Sequence, residues 1–136
     1  MTPSHPSFRA GLVGGMVGGV SIWLYEALIW VGVQKIMPFV NIPKNAVGLI
    51  FCQATQTSLG GIAYVLGTVI HFGFAMLWGI IFAMLWPFLR QRRVEATLAA
   101  LLFAPALWAV MHLAIVAMSH EHPDYTDPNI GTYIPA

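Results

Sequence analysis

Residues 62–89, IAYVLGTVIHFGFAMLWGIIFAMLWPFL, contain no Asp, Glu, Lys or Arg and a single histidine, His71. A helix needs ~20 apolar residues to cross ~30 Å of hydrocarbon, so this stretch reads as a membrane span. Two further stretches have the same character: residues 8–33, with Glu26 well inside, and residues 94–118, with His112 well inside. The expected fold is therefore all-α: one membrane domain over residues 1–136 with three transmembrane helices.

The rest of the composition agrees. Apolar residues make up 58 % of the 136-residue chain and charged residues 8 %, against roughly 25 % charged in soluble domains. Water would have to face apolar side chains almost everywhere, whereas lipid-facing helices need no charge. A net charge of +1 offers no basic face for nucleic acid. Cys52 is the single cysteine, which excludes an internal disulfide and any multi-cysteine metal centre. The first apolar run is too long for a signal-peptide core and lacks a small-residue cleavage site, so it is expected to stay in the membrane.

Between the first two spans lies a connector, residues 34–61. Pro38 and Pro43 are expected to break its beginning, and residues 44–58 mix apolar with amide and hydroxyl side chains. That mixture suits one short interfacial or re-entrant helix. The alternative divides residues 46–89 into two spans, making four in all and moving the C-terminus to the other side. With three spans, Arg9, Arg90, Arg92 and Arg93 share one side, while Lys35 and Lys44 share the other. The positive-inside bias puts the N-terminus and the RQRR turn in the cytoplasm, with the connector and residues 119–136 outside. Trp30 and Trp86 fall near opposite ends of their helices, where interfacial tryptophans sit.

Small residues repeat every four positions on each span: Gly11, Gly15 and Gly19; Ala75, Gly79 and Ala83; Ala96, Ala100 and Ala104. Gly14 and Gly18 form a second pair on the first span. Such stripes let helix backbones approach closely in lipid, so a compact bundle or a bundle docked on a partner is expected. Pro105 should kink the third span by freeing the carbonyl of Leu101.

Glu26, His71 and His112 are candidates for an intramembrane polar cluster. A charged group near the bilayer centre costs at least ~2.5–3.5 kcal/mol, so such residues need a reason. At 1.5 Å per residue, Glu26 and His112 come ~10 Å and ~9 Å below the outer surface and His71 ~13 Å. Glu26 projects within ~20° of Gly15 and Gly19. Three readings stay open: a hydrogen-bonded cluster in which a histidine bonds Glu26, a metal site of two imidazoles and a carboxylate, and a b-type haem between His71 and His112. Outside the membrane, His120, Glu121, His122 and Asp124 can hold a divalent metal weakly. The plainer expectation is a proline-punctuated tail that packs on the connector or on another subunit. No nucleophile–base pair, P-loop or dinucleotide fingerprint appears, and Gly14-Gly15 and Gly18-Gly19 lie inside a span.

Three segments resemble the YagU-like group of small bacterial inner-membrane proteins: GGMVGGVSIWLYE at 14–26, GTVIHFGFAMLWGIIFA at 67–83 and AVMHLAI at 109–115. The resemblance implies a bacterial cytoplasmic membrane and that Glu26, His71 and His112 belong together; it implies no reaction. Small size, three small-residue stripes, an outer tail expected to be ordered and the absence of a catalytic motif point to an accessory or structural subunit of a larger membrane complex without a cofactor, its partners being lipid and other membrane subunits. The alternative is a stand-alone protein that uses Glu26, His71 and His112 for a metal, haem or protons. A transporter ranks below both, because no pair of interrupted helices marks a substrate site.

Overall fold

The computed structural model describes residues 7–35, 37–111 and 113. Those residues are mostly helical and contain no strand. In chain order they form α1 (Phe8–Glu26), a π-helical continuation (Ala27–Val33), α2 (Asn41–Phe51), α3 (Gln53–Leu59), α4 (Ile62–Gln91) and α5 (Ala96–Ala109). His112 and residues 119–136, with His120, Glu121, His122 and Asp124, lie outside the described residues.

Two helical stretches, Phe8–Val33 with 26 residues and Ile62–Gln91 with 30, are long and apolar enough to cross a membrane. Burial separates them from the core helices of a soluble domain, because only 17 % and 6 % of their most apolar windows are enclosed by the rest of the chain. Leu24, Leu28, Val65, Val69 and Met84 are each more than 60 % exposed. Lipid accommodates such a surface without cost; water does not.

The local chemistry explains where each element starts and stops. Ser7 caps α1, its hydroxyl accepting from the Ala10 amide at 3.2 Å, which satisfies one of the unpaired first-turn donors. After Glu26 the ladder widens by one residue, and the Gln34 amide donates to the Ile29 carbonyl at 2.7 Å. Lys35, with φ 53°, then turns the chain. At the far end of α4, Arg93 adopts φ 58°. Glu95 caps α5, its carboxylate accepting from the Thr97 and Leu98 amides at 2.9 and 3.2 Å. An acid there also complements the positive end of the helix dipole.

α1 and α4 run antiparallel in close backbone contact. A Cβ added to Gly11 would lie 2.8 Å from the Ile80 Cα, and one on Gly19 would lie 2.9 Å from the Ala75 Cβ. At Gly15 it would strike the Ala75 carbonyl, and at Gly79 the Gly11 carbonyl. Gly11, Gly15 and Gly19 are buried accordingly, whereas Gly14 and Gly18 face open space.

The connector departs from expectation in two ways. It is two helices and not one, divided at Cys52, whose φ of 97° no helix tolerates. Its first helix also begins at Asn41 and includes Pro43. Proline is harmless in a first turn, where its missing N–H would have had no partner. Ile42, Pro43, Val47 and Gly48 are buried, and the Pro43 carbonyl sits where a Gly67 side chain would be. Gly67 is about 8 Å inside the start of α4 at 1.5 Å per residue, so α2 is set into the end of the bundle. With 11 and 7 residues, α2 and α3 are too short to span, and α4 runs unbroken; residues 46–89 are not two spans.

α5 touches α4 lightly. Phe103 packs on Phe82 and Trp78 with ring centroids 5.0 and 6.4 Å apart, and Ala99 is buried. Ala96, Ala100 and Ala104 are instead exposed, because the bulky Phe103 turns the neighbouring face of α5 toward α4. The α-helical part of α5 has 14 residues with Pro105 inside it, and the helical path continues at Val110, Met111 and Leu113. The remainder of the expected 94–118 span lies outside the described residues.

The glycine contacts give a direct test of the helix pairing. Gly15→Ala and Gly79→Ala should each destabilise the protein by about 1–3 kcal/mol through overpacking. Gly14→Ala and Gly18→Ala should be neutral or stabilise by up to roughly 1 kcal/mol through helix propensity. Unfolding of the detergent-solubilised protein by dodecyl sulfate measures both. Equal losses at all four positions would be incompatible with the α1–α4 contact described above.

Candidate functional site

Going up α1 from Gly11 to Gly19, the facing residues on α4 fall from Gly79–Ala83 to Phe72–Ala75. This register decides which polar groups meet. His71 stands near Gly19, and its Nε2 lies 3.0 Å from the Gly19 carbonyl oxygen. A carbonyl can only accept, so Nε2 carries the proton and a neutral ring keeps its Nδ1 lone pair. An interhelical bond of this kind contributes roughly 0.6 kcal/mol on average, with ~1.7 as the upper end.

Aromatic rings enclose the imidazole. Phe72 meets it edge-on with centroids 5.1 Å apart, and Trp23 lies 6.1 Å away. Trp23 also packs edge-on against Phe72 at 5.6 Å and stacks on Phe39 from the connector at 5.9 Å. The connector is thereby tied to α1 beside His71, and through Trp23 to the Phe72 ring of α4. Trp23 and Phe39 have no counterpart among the sequence-derived candidates. The available signal was positional: Trp23 is one turn beyond Gly19, on the helix whose glycines set the contact.

Glu26 lies seven residues beyond Gly19, and continuing the register brings it level with about Val65–Thr68, the stretch that Pro43 covers. His71 is then roughly 5–9 Å deeper at 1.5 Å per residue. The expected Glu26–histidine hydrogen bond is not formed with His71, whose partner is the Gly19 backbone. His112 lies outside the described residues, as do His120, Glu121, His122 and Asp124. Among the described residues no group of three His, Cys, Asp or Glu side chains is placed to hold a metal ion.

Two more polar features surround this end of the bundle. The α3 residue Gln56 is 8 % exposed, and its Oε1 has no partner among the described residues. The indole N–H of Trp23 is also buried without an acceptor among the described residues. Each such group disfavours the folded state by about 1–3 kcal/mol unless something bonds it. The Trp78 indole N–H is in the same condition beside Phe103.

No protein-family model, curated protein or solved structure matches this chain.

His71→Phe keeps the ring packing and removes the bond to Gly19, so it should destabilise by about 0.6–1.7 kcal/mol. Combined with Glu26→Gln in a double-mutant cycle, the coupling should stay below about 0.5 kcal/mol, as for separated residues. A coupling above about 1 kcal/mol would mean that the carboxylate and imidazole interact directly.

Proposed function

We propose that this chain is a small accessory subunit of a larger membrane complex, with α5 as a third span. The observation that carries this reading is the unequal use of its helices. α1 and α4 meet backbone to backbone, while α5 meets α4 through the Phe103 ring, which packs on Phe82 and Trp78. The outward side of α5 carries Ala96, Ala100 and Ala104, a small-residue stripe suited to close helix docking. Gly14 and Gly18 leave a second open strip on α1. Among the described residues one glycine face of α1 is used and the other is open.

In this arrangement the N-terminus and the Arg90–Arg93 turn face the cytoplasm of a bacterial cell, and the connector faces out. The basic residues support it, three arginines lying at the α4–α5 turn and Lys35 and Lys44 at the other end. Kinship with the YagU-like group rests on the three sequence segments alone. A second reading, ligand or proton handling at His71 with Glu26 nearby, is favoured by one observation: the Gly19 carbonyl fixes the imidazole tautomer in the way that metal-bound histidines are commonly oriented.

Extraction of the tagged chain from native membranes in a gentle detergent should yield a stoichiometric assembly several times heavier than the 14.9 kDa chain, read by native mass spectrometry. A particle made only of this chain that contains metal or haem lost in His71→Phe would replace the subunit reading with the second. For orientation, Gln91→Cys in a Cys52→Ser background should resist an impermeant maleimide in intact cells and react after lysis. Ready labelling of intact cells would invert the topology.

A further inference from the structure

The α4–α5 turn carries Arg90, Arg92 and Arg93 within four residues, all exposed. Their only acidic neighbour along the chain is Glu95. Both its carboxylate oxygens are engaged in α5: Oε2 accepts from the Thr97 and Leu98 amides, and Oε1 from the Thr97 hydroxyl at 3.2 Å. No ion pair joins the three arginines to an acid among the described residues, and the turn stays net positive with Glu95 counted.

One of these exposed side chains folds back along the helix. The Arg92 guanidinium carbon lies 5.3 Å from the centroid of the Phe88 ring, one turn back along α4. Phe88 is itself 56 % exposed and closes the long apolar surface of that helix. In a membrane-inserted chain, a guanidinium drawn back onto such a ring would stand at the boundary between hydrocarbon and headgroup, the level of lipid phosphates. Its planar donor fork matches phosphate oxygens two at a time.

We infer that the Arg90–Arg93 turn holds the phosphate of an anionic phospholipid headgroup, with Arg92 as the inner donor and Arg90 and Arg93 completing the charge. The requirement is a lipid whose headgroup carries no compensating cation, such as phosphatidylglycerol. Each arginine near an anionic surface contributes about a five-fold preference. Two consequences follow: selection of anionic over zwitterionic lipid, and independence from Lys35 and Lys44 at the opposite end. The inference needs a membrane-inserted chain but not a partner complex.

The test uses the full chain in vesicles of equimolar phosphatidylcholine and phosphatidylglycerol. Flotation establishes insertion, and native mass spectrometry of the released protein counts the retained lipids. Phosphatidylglycerol should be enriched at least about five-fold over phosphatidylcholine and should persist in millimolar inorganic phosphate. Arg92→Gln should lower the enrichment, and a joint change of Arg90, Arg92 and Arg93 to Gln should abolish it. Lys35→Gln with Lys44→Gln should leave it intact. Flotation without enrichment would overturn the headgroup site alone. Displacement by inorganic phosphate would make it a site for free anion instead. Failure to float would overturn the membrane reading as well. Should the triple variant not insert, the single Arg92→Gln still decides: unchanged enrichment there rejects Arg92 as a donor.

Discussion

Gly15 and Gly79 stand so close that neither can carry a side chain: a methyl on the first would strike the Ala75 carbonyl, and one on the second the Gly11 carbonyl. That approach sets the register of the two long helices, and the rest of the bundle is arranged on it. It presents the Gly19 carbonyl to His71 and brings Trp23 against Phe72. It also leaves α4 free along the sides where α2 and α5 lie. In lipid the hydrophobic effect does not hold helices together, so close van der Waals contact over small residues has to do so.

Two kinds of terminus shape the ends of this pair. At one end, the π-helical turns and the positive φ of Lys35 fold the chain back into α2, whose Pro43 backbone enters the notch above Gly67. A short element with polar residues thus seats inside an apolar bundle by presenting Ile42, Pro43 and Val47 to it. At the other end, Arg93 and the Glu95 cap reverse the chain within a few residues and concentrate positive charge where α4 ends. The polar groups of the bundle differ in how well they are met: the His71 imidazole has its acceptor, while Gln56 Oε1 and the indole N–H groups of Trp23 and Trp78 have no partner among the described residues.

The bounds of the long helices were legible because hydropathy is a property of consecutive residues. Residues 8–33 and 62–89 coincide closely with Phe8–Val33 and Ile62–Gln91. The packing faces of α1 and α4 were legible as well, since a four-residue repeat of Gly and Ala has little other use in a span. The stripe on α5 was legible as a pattern but not as a contact: Ala96, Ala100 and Ala104 point away from α4, and Phe103 makes the contact. A repeat of small residues says that something can approach, without saying what does.

Sequence by itself determined the helical class, the apolar stretches and the residues able to sit at close crossings, because each depends on composition and spacing along one chain. Tertiary structure alone decided the partner of His71. Depths counted inward from separate helix ends brought Glu26 and His71 nearly level. The glycine contacts instead align His71 with Gly19 and leave Glu26 one to two turns farther out. Relative depth between two helices follows from where their backbones lock, a constraint between distant residues that no local spacing contains.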